Sequence, residues 1–209
     1  MKIAILGAGN IGGSLGRVWA AHGEQIAFGV RDPAKPELQQ LVAEIGPNAS
    51  AGSVADAIAG AKVVIFAIPG GLVAEVAAQH AAELVDKILI DATNNLRTGE
   101  LSAVGTLAAH APTAHIFRAF NSIGWENIVQ PRYGSIQADL IYCGPPGPAR
   151  ETVEILIADT GLRPIYVGDL SQTPVVDALA RLWFALAFGQ SKGRRVGFRV
   201  LTAADDQAG

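Results

Sequence analysis

KIAILGAGNIGGSLG, residues 2–16, decides how this chain is read. A short apolar run ends at Leu6. Glycines follow at Gly7, Gly9 and Gly12, and a helical pattern then runs over Gly12–Ala21 until His22-Gly23 stops it. Each glycine has its own physical reason. Gly7 permits a tight turn, Gly9 lets the backbone approach a pyrophosphate, and Gly12 lets the helix pack closely on the strand. The helix start near Ile11 offers unpaired N–H groups and the positive end of the helix dipole. A second apolar run, Gln25–Val30, follows within about 30 residues, the strand–turn–helix–strand context of a dinucleotide-binding loop.

Outward from this unit, short apolar runs recur at Val63–Ile68, Lys87–Asp91, His115–Phe120, Asp139–Cys143 and Arg163–Val167. Most are β-branched and apolar on both faces, as fully buried parallel strands are. Helix signals separate several of them. Ser53 can cap Val54–Ala59, and Pro148 suits a first turn before Arg150–Asp159, which closes at Gly161. The alternation predicts an α/β fold: a doubly wound parallel sheet with right-handed crossovers and helices on both faces. Pro174–Phe188 reads as a further helix with no strand directly after it, and the tail beyond turns basic. We therefore expect a nucleotide-binding domain over residues 1–169 and a small helical extension over 170–209.

The end of the second run bears on the cofactor. An acidic residue there selects NAD by holding the ribose 2′-hydroxyl. Here Val30 takes that place, Arg31 can hold a 2′-phosphate in a fork and Lys35 adds a point charge, which favours NADP. The alternative leaves Arg31 and Lys35 in solvent and gives the ribose to Asp32. Pro69-Gly70-Gly71 end the next run and place a proline turn beside the adenosine or ribose half, unless they form an ordinary strand-ending turn. Thr93-Asn94-Asn95 and Asn121-Ser122 end two further runs on the carboxyl edge, where ligands of such sheets collect. Asn94 and Asn121 are the candidates nearest the reacting ring; amides also make turns for purely structural reasons.

The 209 residues are half hydrophobic, with a net charge of −3 and one cysteine. That composition excludes a disordered chain. It gives no basic footprint for nucleic acid and no cysteine framework for disulfides or metal. Val63–Ala74 and Leu182–Phe188 are too short for a bilayer helix. No membrane partner and a reducing, cytoplasmic setting are expected. Cys143 reads as a small buried residue.

GAGNIGGSLG, VRDPAK, FAIP, DATNN, RAFNSIG, GLRPIYVGDL and VGFRVL together resemble the NADPH-dependent deazaflavin (coenzyme F-420) reductase family, in matching order along nearly the whole chain. The resemblance implies a Rossmann domain, a small helical C-terminal part, NADP(H) and a dimer. By position, Arg31 and Lys35 match the 2′-phosphate contacts, Gly9, Asn10 and Ile11 the pyrophosphate loop, and Ile68 and Pro69 the cofactor's flank. Val30 departs from the serine often found there, and FNSIGWENI departs from the deazaflavin enzymes.

The expected activity is hydride transfer between NADP(H) and a flavin- or deazaflavin-type acceptor, chemistry that the cofactor carries. His22, His80, His110 and His115 are scattered, and no acid–base set is visible. A non-catalytic NADP-binding redox sensor, or a reductase of a small carbonyl or imine, fits as an alternative. Lys192 and Arg195 could bind an acidic acceptor tail. Leu179, Leu182, Trp183, Phe184, Leu186 and Phe188 crowd one helix, which suggests a homodimer surface or full burial on the chain's own sheet.

Overall fold

The structure, a computed structural model, describes residues 1–203; residues 204–209 of the expected extension lie outside it. The chain runs β1 (Lys2–Leu6), α1 (Asn10–Ala21), β2 (Gln25–Gly29), α2 (Pro36–Ile45), β3 (Ala49–Gly52), α3 (Val54–Ile58) and β4 (Val63–Phe66). It continues through α4 (Val73–Gln79), β5 (Ile88–Asp91), α5 (Val104–His110), β6 (His115–Arg118), α6 (Trp125–Val129), β7 (Arg132–Tyr133) and β8 (Ile136–Gln137). It closes with β9 (Asp139–Tyr142), α7 (Pro148–Asp159), β10 (Arg163–Tyr166) and α8 (Thr173–Phe184), which ends in a π turn at Ala185–Gly189.

Six strands form one parallel sheet in the order β3-β2-β1-β4-β5-β6. The chain starts in the middle, winds out to β3, then returns to β4 on the other side of β1. That reversal opens a crevice above the carboxyl ends of β1 and β4. The apolar runs are continuous because both faces are covered. Ile3, Ile5, Phe28 and Ile65 pack with Leu15 and Trp19 on one face. Ala4, Leu6, Val64 and Phe66 pack with Ile58, Ala77 and Leu107 on the other.

Local signals account for the helix ends. Ser53 and Asp56 form a reciprocal capping box at α3, satisfying two otherwise unpaired backbone N–H groups. Pro148 opens α7. β3 escapes the sequence reading because Ala-Ser-Ala-Gly has no β-branched residue. It is a strand because register with β2 places Ala49 opposite Ile26 and Gly52 opposite Gly29. Pairing, not propensity, makes it.

One expectation is corrected. β9 and β10 pair parallel with each other but form a separate two-stranded sheet. β9 meets β6 only at an antiparallel bridge, Arg118 to Cys143. The physical reason lies in the connection. Between β6 and β9 the chain makes short α6 and the β7–β8 hairpin, not the long helical crossover that a parallel neighbour requires.

The last helix packs on this second sheet. Val176 of α8 clusters with Ile141 and Cys143, with Ile165, Val167 and Leu179 around them. Cys143 is fully buried, and burial pushes its thiol pKa up. Trp183 is buried too, and its Nε1 donates to the Val196 carbonyl at 3.0 Å. The outer face of α8 is not covered: Val175, Leu182 and Phe188 remain about half exposed. No helix among the described residues is long and apolar enough to cross a membrane.

Candidate functional site

The glycine loop separates into two structural glycines and one open one. Gly7 has φ +100°, and a Cβ there would lie 2.6 Å from the Ala67 carbonyl oxygen. Only glycine adopts that backbone without strain. A Cβ on Gly12 would lie 2.0 Å from the Gly7 carbonyl oxygen, so α1 sits against the turn at a distance no side chain allows. Gly9 faces open space. It is the N-cap of α1, with no side-chain cap on the helix. The first-turn N–H groups are thus left for an anion.

A cavity of about 760 Å³ opens here, lined by Gly7, Gly9, Val30, Arg31, Lys35, Ile68 and Pro69 among others. Residues from three separate strand ends are brought together, as the sequence pattern implied. Asn10 lies in an adjoining hollow of about 240 Å³ with Arg17 and Trp125. Ile11 packs against the core and Gly12 is buried, so these two support the loop. Arg31 and Lys35 are exposed at the rim. Asp32 is occupied locally: its Oδ1 accepts from the Ala34 N–H at 3.1 Å, a side-chain turn of the kind aspartate makes. Asp32 also lines the cavity, so its one local bond shapes the loop that presents Arg31 and leaves Oδ2 facing the same space.

The carboxyl ends of β5 and β6 are built differently. Arg118, the last residue of β6, is fully buried. Its Nη1 lies 3.1 Å from Asp91 Oδ2 and donates to the Thr93 carbonyl at 2.5 Å. Its Nε and Nη2 reach Asp177 Oδ1 at 2.9 and 2.8 Å. Nη2 also donates to Asn94 Oδ1 at 3.1 Å. Asp91 is saturated: Oδ1 accepts from the Thr93 N–H and hydroxyl, and Oδ2 from the Ala103 N–H as well as Arg118. A buried ion network of this kind persists only when its members are paired and hydrogen-bonded.

Asn94 and Asn121 do come together, but inside this network. Asn94 Nδ2 donates to the Asn121 carbonyl at 2.7 Å. Asn121 is 2% exposed; its Nδ2 lies 3.5 Å from Asp177 Oδ1, and its Oδ1 has no partner among the described residues. The turn that inserts it carries Phe120 at φ +64°, an unusual backbone for an aromatic residue, held by edge-to-face packing on Trp19. Both amide ends of Asn94 are therefore committed to positioning its neighbours.

Sequence reasoning missed Asp91, Arg118 and Asp177. A signal existed for two of them, since ILID and HIFR each carry a charge within a run that reads as fully buried. None existed for Asp177, an ordinary polar position on an amphipathic helix. Next to it, between residues 99–105 and α8, lies a second cavity of about 500 Å³ that Asp177 and Arg181 line. Arg195, read as a contact for an acidic tail, instead donates to the Arg132 carbonyl and stacks on Tyr133.

Residues 2–95 match the family described as NADP oxidoreductase, coenzyme F420-dependent. Among solved structures, the chain is similar to a protein from Arthrobacter sp. FB24 titled an F420-dependent NADP-reductase. Identity is 24% and the TM-score 0.84, over 97% of this chain and 100% of that one. A hypothetical protein from Sinorhizobium meliloti matches at 26% identity and TM-score 0.69, over 82% and 86%. A reductive aminase from Aspergillus terreus shares the fold at 20% identity and TM-score 0.64, over 91% of this chain but 62% of its own. No curated protein matches the sequence. The stretch from β1 to the loop after β5, residues 2–95, is thus similar to the family of coenzyme F420-dependent NADP oxidoreductases, and the fold of nearly the whole chain is shared with the Arthrobacter protein.

Proposed function

We propose that the chain is an NADP(H)-dependent oxidoreductase that moves hydride between NADP(H) and a flavin- or deazaflavin-type acceptor. One observation carries the cofactor half: the glycine loop, Arg31, Lys35, Ile68 and Pro69 share one cavity. Gly7, Gly9, Asn10, Ile11 and Gly12 form the pyrophosphate cradle, Arg31 and Lys35 hold the 2′-phosphate, and Ile68 and Pro69 flank the nucleotide. When bound, the cofactor supplies the hydride. Asn94 and Asn121 stand at its nicotinamide end on the carboxyl edge, and the buried network fixes their orientation. The similarity of residues 2–95 to coenzyme F420-dependent oxidoreductases supports the deazaflavin class of acceptor. The half-exposed apolar face of α8 supports a homodimer, and a lone, buried Cys143 fits a cytoplasmic setting.

A reductase of small carbonyls or imines is the second reading. Its support is Asp177, an ionisable group 3.5 Å from Asn121 where flavin chemistry needs only amides and apolar walls. The sensor reading has less in its favour, because the described part of the tail, up to residue 203, packs against Glu126 and Asp139 and is not among the residues that line the second cavity.

A panel tests both readings: oxidation of NADPH and NADH against deazaflavin, flavin mononucleotide, ferric chelates, quinones, a small ketone and a cyclic imine. NADPH should outperform NADH with at least one acceptor. Equal use of the two cofactors would overturn the 2′-phosphate assignment, and no turnover with any acceptor would favour the sensor.

A further inference from the structure

From the chemistry of the cavity between residues 99–105 and α8, we infer that it binds a small organic cation, an alkylammonium or iminium group, with Asp177 as its counter-ion. Two carboxylates, Asp91 and Asp177, share the single guanidinium of Arg118. They do so unequally. Asp91 is sealed, with both oxygens accepting hydrogen bonds. Asp177 spends only Oδ1, on Arg118 and Asn121. Its Oδ2 accepts no hydrogen bond from the described residues, although the side chain is 13% exposed and lines the cavity.

The other charges at the cavity are Glu100 and Arg181. The Arg181 Nη2 is held by the Gly99 carbonyl at 2.6 Å. Around network and cavity together, three carboxylates face two guanidinium groups. A partly buried carboxylate with an open oxygen favours a positive partner, and one that brings its own N–H donors satisfies the lone pairs. The remaining wall selects among cations. Leu101, Val104, Leu170 and Pro174 line the same cavity, so a nitrogen carrying an apolar substituent fits better than a hydrated metal ion. Consistent with that, no group of three or more metal-ligating side chains occurs among the described residues. Anions, including the phosphate tail of a flavin nucleotide, are disfavoured by the same charge balance.

Binding does not require the oxidoreductase reading. What becomes of the bound cation rests on the second of the two readings above. The test is calorimetric titration of the full chain, with and without saturating NADP+, using n-butylammonium, n-butanol and n-butyrate as probes. Butylammonium should bind, butanol weakly, and butyrate not at all. Asp177→Asn should weaken butylammonium about 10-fold or more, the worth of a hydrogen bond to a charged group, and leave butanol unchanged. Because Asp177 also pairs Arg118, a second variant keeps the test decisive. Gly105 lines the cavity, and a Cβ there meets nothing within 4 Å, so Gly105→Leu folds and fills the space. It should remove butylammonium binding while NADP+ still binds. Tighter binding of butyrate, or equal butylammonium binding by all three proteins, would overturn the inference. Failure of NADP+ to bind would instead overturn the cofactor reading and leave the cation result standing.

Discussion

The two halves of the carboxyl edge solve opposite problems. The half over β1 and β2 is left open: Gly9 faces empty space, the first turn of α1 has no side-chain cap, and Arg31 and Lys35 stand at the rim. The half over β5 and β6 is filled with its own hydrogen bonds, centred on a fully buried arginine. Recognition by backbone N–H groups needs a few residues close in sequence. Recognition by side chains needs a scaffold that holds them, and here the scaffold spans Asp91 to Asp177. The open half should answer to mutation in binding, the filled half in stability.

The largest expected effect lies in the filled half. Arg118→Met leaves Asp91 buried without its counter-charge, and should cost about 3–5 kcal/mol of unfolding free energy. Urea denaturation checks this, and a loss below about 1 kcal/mol would mean that water reaches the network. In the open half, Arg31→Ala should narrow the NADPH-over-NADH preference by about 1.5–3 kcal/mol, with the denaturation midpoint unmoved. Fluorescence titration of both cofactors measures it.

The glycines divide along the same line. Gly12→Ala forces a Cβ into the Gly7 carbonyl and should destabilise by about 1–3 kcal/mol, whereas Gly9→Ala has room and should weaken cofactor binding alone. Equal stability of the two variants would dissolve the distinction. The smallest effect is a pH dependence at the α3 cap. Hydrogen bonds from Ser53 hold the Asp56 carboxyl below its ordinary pKa. A carboxyl lowered on folding contributes stability above its unfolded pKa and loses it as pH falls through the folded one. Its stabilisation should therefore fade on the acid side of about pH 4, and Ser53→Ala should raise the Asp56 midpoint seen by NMR.

What was legible in the sequence follows from range. The glycine loop, β1, β2, the Ser53 cap and the Arg31–Lys35 turn are written in neighbouring residues, and the structure places them accordingly. β3 was not legible because ASAG becomes a strand only through its pairing with β2. The separate β9–β10 sheet was hidden because its apolar runs look like parallel strands, while the short α6 and the hairpin before it decide otherwise. Asn94 and Asn121 were found by their place at strand ends. Their partners were not, since Asp177 joins them from a helix beyond four further strands.

The tail near Phe198 has a consequence for synthesis. One edge of β9 is taken by β10. The other is closed at one end by Arg118 of β6 and at the other by Phe198, whose carbonyl accepts from the Asp139 N–H at 2.8 Å. The Asp139 carboxylate fastens that strap through Arg163 and the Val200 N–H. An open strand edge is a template for pairing with other chains. As the polypeptide leaves the ribosome, β9 is therefore unguarded until some sixty residues later, when the strap emerges. A chain truncated after Val196 should bind cofactor when kept dilute but aggregate during expression, and recover solubility when the missing residues are supplied as a peptide.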